Sequence, residues 1–294
     1  MNIVKISDGL GNQMFQYAFA RKMQLKSGRS FFLDTRYINN EDRIARGEKR
    51  RTLERNDQRK YSLDNFRIIL PVAGKNLLSK WNYMNQSNGI EKAIAELAQE
   101  GLWFWQFKDD SYKMKSEIWG EKDCIFPTYF QGYHFNLKYY EDIKGILQKE
   151  FRPKIAINLP RGLRQILWTE NTVSIHIRRG DYLKLHCDIS EDKYYLVAME
   201  TLQDQVVDPL YVVFSDDIEW VKINFRINGR KIYVSDMGFS DYEELTIMKH
   251  CKHNIIANST FSYWAAYLNA NPDKKVICPK RWMPEIIPKE WVRV

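Results

Sequence analysis

Thr172-Val-Ser-Ile-His-Ile-Arg-Arg-Gly-Asp-Tyr182 starts as a strand-like run and ends in two arginines and a turn glycine. Beyond Tyr182 the pattern is regular, apolar strand-like runs alternating with helices, without an internal repeat. The pattern predicts strands at Thr172 to Ile177, Leu210 to Ser215, Lys231 to Ser235, Asn254 to Ala257 and Lys275 to Cys278. Helices are expected from about Asp192 to Leu202, then Ile218 to Phe225, Asp241 to Lys249 and Phe261 to Asn269. Strands alternating with helices make an α/β fold with a doubly wound parallel sheet.

Working toward the N-terminus, Arg152-Pro153 and Leu159-Pro160 break helix, which places a domain boundary near residues 152 to 165. The expected domains are 1–158 and 159–294, within the usual size range for each. The first half opens with a strand at Asn2 to Ile6, a turn at Asp8-Gly-Leu-Gly11 and a helix with Met14, Phe15, Ala18, Phe19 and Met23 at three- and four-residue spacing. Ser30 to Asp34 reads as the next strand. Arg43 to Lys60 is dense in charge and reads as a solvated loop, a lid or an acceptor-side surface. Further on come a helical pattern at Ile90 to Glu100, aromatic runs at Trp103-Phe-Trp105 and Tyr129-Phe-Gln-Gly-Tyr133, and an amphipathic segment from Leu137 to Phe151.

A formal net charge of +8 over 294 residues suggests a negatively charged partner: nucleic acid, an anionic membrane or a phosphorylated small molecule. Charge by itself does not choose among them. Aromatics form 14% of the chain, a share that suits sugar stacking, though on its own an ordinary core comes first because most aromatics in any fold are core. The four cysteines stand far apart without a C-x-x-C pair, which fits free thiols in a reducing compartment. The N-terminus enters a strand directly, and no run of eighteen apolar residues occurs, so a cytoplasmic protein is expected.

In parallel α/β sheets ligands sit beyond the carboxyl ends of the strands, where the chemistry-bearing residues of this sequence gather. Arg178 and Arg179 emerge at the end of one strand, and arginine grips a diphosphate through paired hydrogen bonds. A surface Arg–Asp pair is the plainer alternative. Asp216 and Asp217 end the next strand, where a carboxylate could accept the adjacent N–H donors of guanine. Asp216 with Glu219 also fits a capping box, and on the residues alone capping comes first. Ser259 and Thr260 open a helix, as an anion site or as a simple cap. Gly9-Leu-Gly11-Asn-Gln-Met14 imitates a dinucleotide fingerprint, but Met14 occupies the third glycine position, which argues against an NAD site. Neither a P-loop nor a D-x-D metal motif is present.

Taken together, Gly9-Leu-Gly-Asn-Gln-Met-Phe-Gln16, His176-Ile-Arg-Arg-Gly-Asp-Tyr182, Phe214-Ser-Asp-Asp217 and Asn258-Ser-Thr-Phe-Ser-Tyr-Trp264 resemble the α-1,2-fucosyltransferase family, glycosyltransferase family 11. The likeness runs through nearly the whole chain. It implies a GT-B-like fold of two Rossmann-like domains facing a central cleft. It also implies inverting transfer of L-fucose from GDP-fucose to the 2-hydroxyl of a galactose-containing oligosaccharide or glycan precursor, with no cofactor and no metal. By the same resemblance Arg178 would grip the diphosphate, and His176, Asp216 and Asp217 would flank guanine. Ser259 and Thr260 would add phosphate contacts, and Asn12 would face the donor from the N-terminal half.

The acceptor hydroxyl must lose a proton late in the step, which calls for a base. Asp181, His186, Asp188 and Glu191 all come after the arginine motif and none is singled out; Asp181 is the nominal candidate, though a turn or salt-bridge role suits it better. Rival readings are another GDP-fucose enzyme of α-1,6 or O-fucosyl type, or a non-catalytic basic nucleotide-binding or nucleic-acid-binding protein. Arginines at sheet edges, without a known reading module, argue against nucleic acid. A lipid-linked acceptor would bring the protein to the inner face of a membrane.

Overall fold

The computed structural model describes residues 1–38, 59–75, 77–78, 106–109, 119–191 and 193–294. Most of the charged stretch Arg43 to Lys60, the helical pattern at Ile90 to Glu100, the run at Trp103 to Trp105 and the expected helix start at Asp192 lie outside the described residues. The chain divides into two compact units, Met1–Tyr61 with Ile68–Ile143, and Ser62–Arg67 with Lys144–Val294.

The first unit is built on four strands, β1 (Asn2–Lys5), β2 (Phe31–Asp34), β3 (Gln106–Asp109) and β4 (Thr128–Gln131). They lie in the order β2-β1-β4-β3 and all pair in parallel. Helix α1 (Leu10–Ser27) comes after β1, and its spaced apolar residues Met14, Phe15, Ala18 and Phe19 are fully buried. It stops at Gly28, whose left-handed backbone (φ 64°) lets its N–H reach the Gln24 carbonyl at 3.0 Å.

The second unit contains β5 (Thr172–Ile177), β6 (Leu210–Ser215), β7 (Arg230–Tyr233), β8 (His253–Ile255), β9 (Val276–Cys278) and β10 (Val292–Arg293). All are parallel, in the order β10-β9-β8-β5-β6-β7. The first two of these strands match the expected bounds and are buried along their whole length, as central parallel strands are. The helices are α2 (Lys144–Glu150), α3 (Arg161–Thr169), α4 (Gly180–Lys184), α5 (Tyr194–Gln203), α6 (Ile218–Asn224), α7 (Asp241–His250) and α8 (Thr260–Leu268). Val173, Ile175, Ile177, Tyr195, Leu202, Val213 and Val221 form part of the core between sheet and helices. An all-parallel sheet in each unit gives the α/β class expected from the sequence.

The amphipathic segment Leu137 to Phe151 divides into 3₁₀ turns at Leu137–Tyr139 and Glu141–Ile143 followed by α2. The Asn136 side chain caps the first turn by accepting from the Lys138 N–H at 3.1 Å, and Tyr140 leaves helical geometry with φ −150°. The unit boundary falls at Ile143/Lys144, ahead of the expected 158/159, and Arg152–Lys154 is no linker. Arg67 N–H donates to the Arg152 carbonyl at 3.0 Å, and Lys154 N–H to that of Asn65 at 2.8 Å. Phe151 packs edge-on against both Phe66 and Trp264, which fixes this stretch in the second core.

Candidate functional site at the carboxyl edge of the second sheet

Counted from β5 as the unit's first strand, the second sheet has the order 3-2-1-4-5-6. In such a sheet the connections reverse direction beside the first strand, and ligands settle at that switch point, outside the carboxyl ends of the strands. Here the switch lies between β5 and β8. Arg178 leaves the end of β5, while Asn258, Ser259 and Thr260 lead from β8 into α8. Tyr182 ties the two loops together: its hydroxyl donates to the Asn258 carbonyl at 3.1 Å. Asn258 Nδ2 in turn donates to the Cys187 carbonyl at 2.8 Å. Ser259 caps α8, its Oγ accepting from the Phe261 N–H at 3.4 Å.

The two neighbouring arginines have different surroundings. Arg178 keeps 28% of its side chain exposed. Its Nη1 meets Asp216 Oδ2 at 2.9 Å, and its Nη2 donates to Asp181 Oδ1 at 2.6 Å. Such charge-assisted contacts hold a planar guanidinium in one orientation. Arg179 is buried instead. Its Nη1 donates to Ser190 Oγ at 2.6 Å and Asp188 Oδ2 at 3.2 Å, its Nε reaches Asp217 Oδ2 at 3.3 Å, and its guanidinium lies 3.3 Å from the Trp220 ring centroid. That cage engages Asp217 and Asp188 and fixes the loop after α4.

Asp216 does not form the capping box the sequence suggested. The N-cap of α6 is Asp217, and no side chain caps that helix. Asp216 accepts the Arg179 backbone N–H on Oδ1 at 2.9 Å and faces Arg178 through Oδ2. Its carboxylate therefore braces the arginine loop. The approach is so close that a Cβ at Gly180 would stand 2.2 Å from Asp216 Oδ2, which explains a glycine there. Of the other residues weighed as a base, Asp181 is paired with Arg178 and Asp188 with Arg179, while His186 and Glu191 are exposed in the loop before α5.

His176, in β5, is buried with its Nδ1 unpartnered, and its ring centroid is 5.5 Å from that of Phe261. Burial, aided by the positive charge of Arg178, pushes it down to about 3, so the ring is neutral at physiological pH. One carboxyl at this edge escaped the sequence reading. Glu244, in the first turn of α7, is pushed up to about 7 by burial, against a hydrogen bond from Ser235 and with Asp241 and Asp216 nearby. Ser235 Oγ accepts the Ser215 N–H at 3.1 Å, so Glu244 stands at the ends of β6 and β7. Its only sequence signal was an acidic pair at a helix start.

Asn12 lies in the first unit, half-buried in the first turn of α1, with its N–H on the Gly9 carbonyl at 2.9 Å. The two glutamines of the same motif have structural work. Gln13 Nε2 donates to the carbonyls of Asp8 at 2.8 Å and Lys60 at 2.9 Å. Gln16 accepts the Ser7 N–H at 2.9 Å and donates to Ser7 Oγ at 2.9 Å and the Gly132 carbonyl at 3.1 Å. All four cysteines are free thiols, and no helix among the described residues is long and apolar enough to cross a membrane.

A sheet of Rossmann order with an arginine at its switch point defines a doubly wound α/β unit. The model of Glycosyl transferase family 11 matches residues 1–292, so the chain belongs to that family and is a glycosyltransferase. An alpha-1,2-colitosyltransferase from Escherichia coli is 30% identical over 99% of this chain and 98% of its own length. A galactoside 2-alpha-L-fucosyltransferase SEC1 from Bos taurus is 29% identical, over 47% of this chain and 41% of that one. Among solved structures, the fucosyltransferase NodZ from Bradyrhizobium is 12% identical with a TM-score of 0.47, covering 90% of this chain and 92% of that one.

Proposed function

We propose that the protein is an inverting, metal-independent α-1,2-fucosyltransferase that moves L-fucose from GDP-fucose to the 2-hydroxyl of a galactoside. The observation that carries this reading is Arg178. In a family 11 chain it stands at the switch point of the second sheet, partly exposed and braced by Asp181 and Asp216. As the bond between fucose C1 and the diphosphate oxygen breaks, negative charge collects on the departing GDP and positive charge on the sugar ring. A guanidinium fixed in advance stabilises that developing charge without reorganising, which is the task a metal performs in other transferases. The acceptor oxygen forms its bond to C1 on the opposite face, and its proton is lost late in the step.

In this reading the second unit holds the donor and the first unit the acceptor. His176 offers a neutral ring beside Arg178, Ser259 and Thr260 bring the α8 N-terminus to the phosphates, and Asn12 contacts the donor from the first unit. Asp216 acts through Arg178 as a positioning residue. The two adjacent N–H donors of guanine are then met by Asp217 or Glu244, carboxyl groups at the ends of β6 and β7. The location is the cytoplasm, at the inner face of a membrane when the acceptor is lipid-linked.

A second reading differs only in the sugar, because the colitosyltransferase match spans 99% of the chain while the galactoside fucosyltransferase match spans 47%. One experiment tests both. GDP-fucose and GDP-colitose are offered in parallel with a panel of β-galactosides in excess EDTA, and the product linkage is read by NMR. Fucose α-1,2-linked to galactose is the expected product. Transfer of colitose alone replaces the donor, and activity that returns only with added Mn or Mg ends the metal-independent mechanism.

A further inference from the structure

Between Glu150 and Glu170 the chain carries Arg152, Lys154, Arg161 and Arg164 and no acidic residue. The last part of this stretch is α3, whose residues divide by helical spacing. Leu163, Ile166 and Leu167 fall on one side, with Leu163 buried and the other two half-buried. Arg161, Arg164, Gln165 and Trp168, spaced i, i+3, i+4 and i+7, line the other side and are all exposed. Trp168 keeps 86% of its surface in water.

Trp168 stands close to the amino edge of the second sheet, where a second apolar side chain is bare. Asn171 donates from Nδ2 to the Val207 carbonyl at 2.7 Å, and Val207 is 83% exposed. Lys252 brings another cation to the same place, its Nζ donating to Asn171 Oδ1 at 3.3 Å. Two acids of this edge are already taken up: Arg230 donates to Glu170 Oε2 at 2.9 Å and to Asp208 Oδ2 at 2.6 Å. Arg161 and Arg164 meet no carboxylate among the described residues.

Single exposed apolar residues are ordinary, but a bare indole in line with two unpaired guanidinium groups is a combination with a matching surface. At the boundary of an anionic bilayer an indole sits at headgroup level while cations meet lipid phosphates. Other occupants fit less well. A second copy docked about a twofold axis would set the arginines of one α3 against those of the other. Nucleic acid would take up the charge and leave Val207 in water. We propose that the outer face of α3 and the amino edge beside it form a docking surface for a bilayer containing anionic phospholipid. Arg178 lies at the opposite end of β5, so the docked surface and the donor loops do not compete. The inner-face location in the proposed function thereby gains a seat on the molecule; docking rests on that reading only for its setting, because it needs no substrate.

Co-sedimentation of the full protein with large vesicles is the test. Mixed phosphatidylglycerol and phosphatidylcholine vesicles should bind it at low salt and release it as salt rises, and phosphatidylcholine alone should bind it far less. Replacing both Arg161 and Arg164 by Gln should lower the partition coefficient about thirtyfold, the combined effect of two surface cations. Trp168→Ala should lower it about tenfold, by the same factor at low and high salt. Melting temperatures, and transfer to a soluble galactoside, should stay unchanged in both variants. No sedimentation with anionic vesicles at low salt, equal binding to phosphatidylcholine alone, or undiminished binding with all three changes combined overturns the surface. Self-association that Trp168→Ala abolishes, without vesicle binding, makes the occupant a second copy; a DNA duplex bound through the arginines, again without vesicle binding, makes it nucleic acid. Failure of the unaltered protein to use any galactoside bears on the functional reading alone.

Discussion

Replacing Gly180 by alanine tests the brace on Arg178 without touching either charged partner. The added methyl would stand 2.2 Å from Asp216 Oδ2 and 3.1 Å from its Cγ, inside contact distance for both. Asp216 must swing away, abandoning the Arg179 N–H and Arg178 Nη1, each now at 2.9 Å. Overpacking of this kind costs about 1–3 kcal/mol. Taking about 2 kcal/mol, the melting temperature should drop by about 4–8 °C in a domain of this size. The unbraced guanidinium then samples other orientations, and a misplacement near 1 Å reduces kcat by up to about a hundredfold. The assay is thermal melting with steady-state transfer kinetics on Gly180→Ala, Asp216→Ala and the double variant. Asp216→Ala removes the obstructing carboxyl, so adding Gly180→Ala to it should cost nothing more. An undiminished penalty in that background, or a Gly180→Ala enzyme equal to the original, refutes the brace.

The same geometry gives three further outcomes. Arg178→Lys should keep its melting temperature and lose about 10²–10³ in kcat, since lysine keeps the charge but not the two-pronged geometry; Arg179→Lys should instead lower the melting temperature by several degrees, as its buried cage opens, and near-normal kcat in folded Arg178→Lys would mean the diphosphate lies elsewhere. Glu244 is held near 7, above its unfolded value of 4.5, so the fold retains a proton that the unfolded chain sheds and loses stability as pH rises from about 4.5 toward 7. Glu244→Gln should flatten the melting-temperature profile across that interval, and an unchanged slope would contradict the assignment. GDP should raise the melting temperature where equal concentrations of UDP or ADP do not, and equal shifts from all three would remove guanine recognition from the function.

The central strands were legible because a parallel strand buried on both faces reads as a plain apolar run: Thr172 to Ile177 and Leu210 to Ser215 needed no tertiary information. The edge strand Arg230–Tyr233 is half-exposed, and its bounds differ by a residue or two from the pattern. Strand order is another matter, since which strand lies beside β5 depends on contacts between segments some eighty residues apart. Site chemistry was readable as residue types and not as partnerships. An Asp two residues before a helix looks the same in sequence whether it caps that helix or braces an arginine thirty-seven positions earlier. The cage around Arg179 draws Asp188 and Ser190 from one segment and Asp217 and Trp220 from another, and no local pattern announces it.

Six residues, Ser62–Arg67, leave the first unit to join the second and then return. Leu63 and Phe66 are fully buried there, Phe66 meets Phe151 and Tyr242 edge-on, and Ser62 Oγ donates to Asp241 Oδ2 at 2.8 Å. The two units are thus not separable by one cut. A fragment beginning at Lys144 would lack a piece of its own core, exposing the faces of Phe151 and Tyr242 to water, and should aggregate or melt early. During synthesis the same six residues are made long before their partners and must wait for them. Supplying residues 62–67 in trans, or grafting them ahead of Lys144 on a short linker, is therefore the way to obtain the second unit alone.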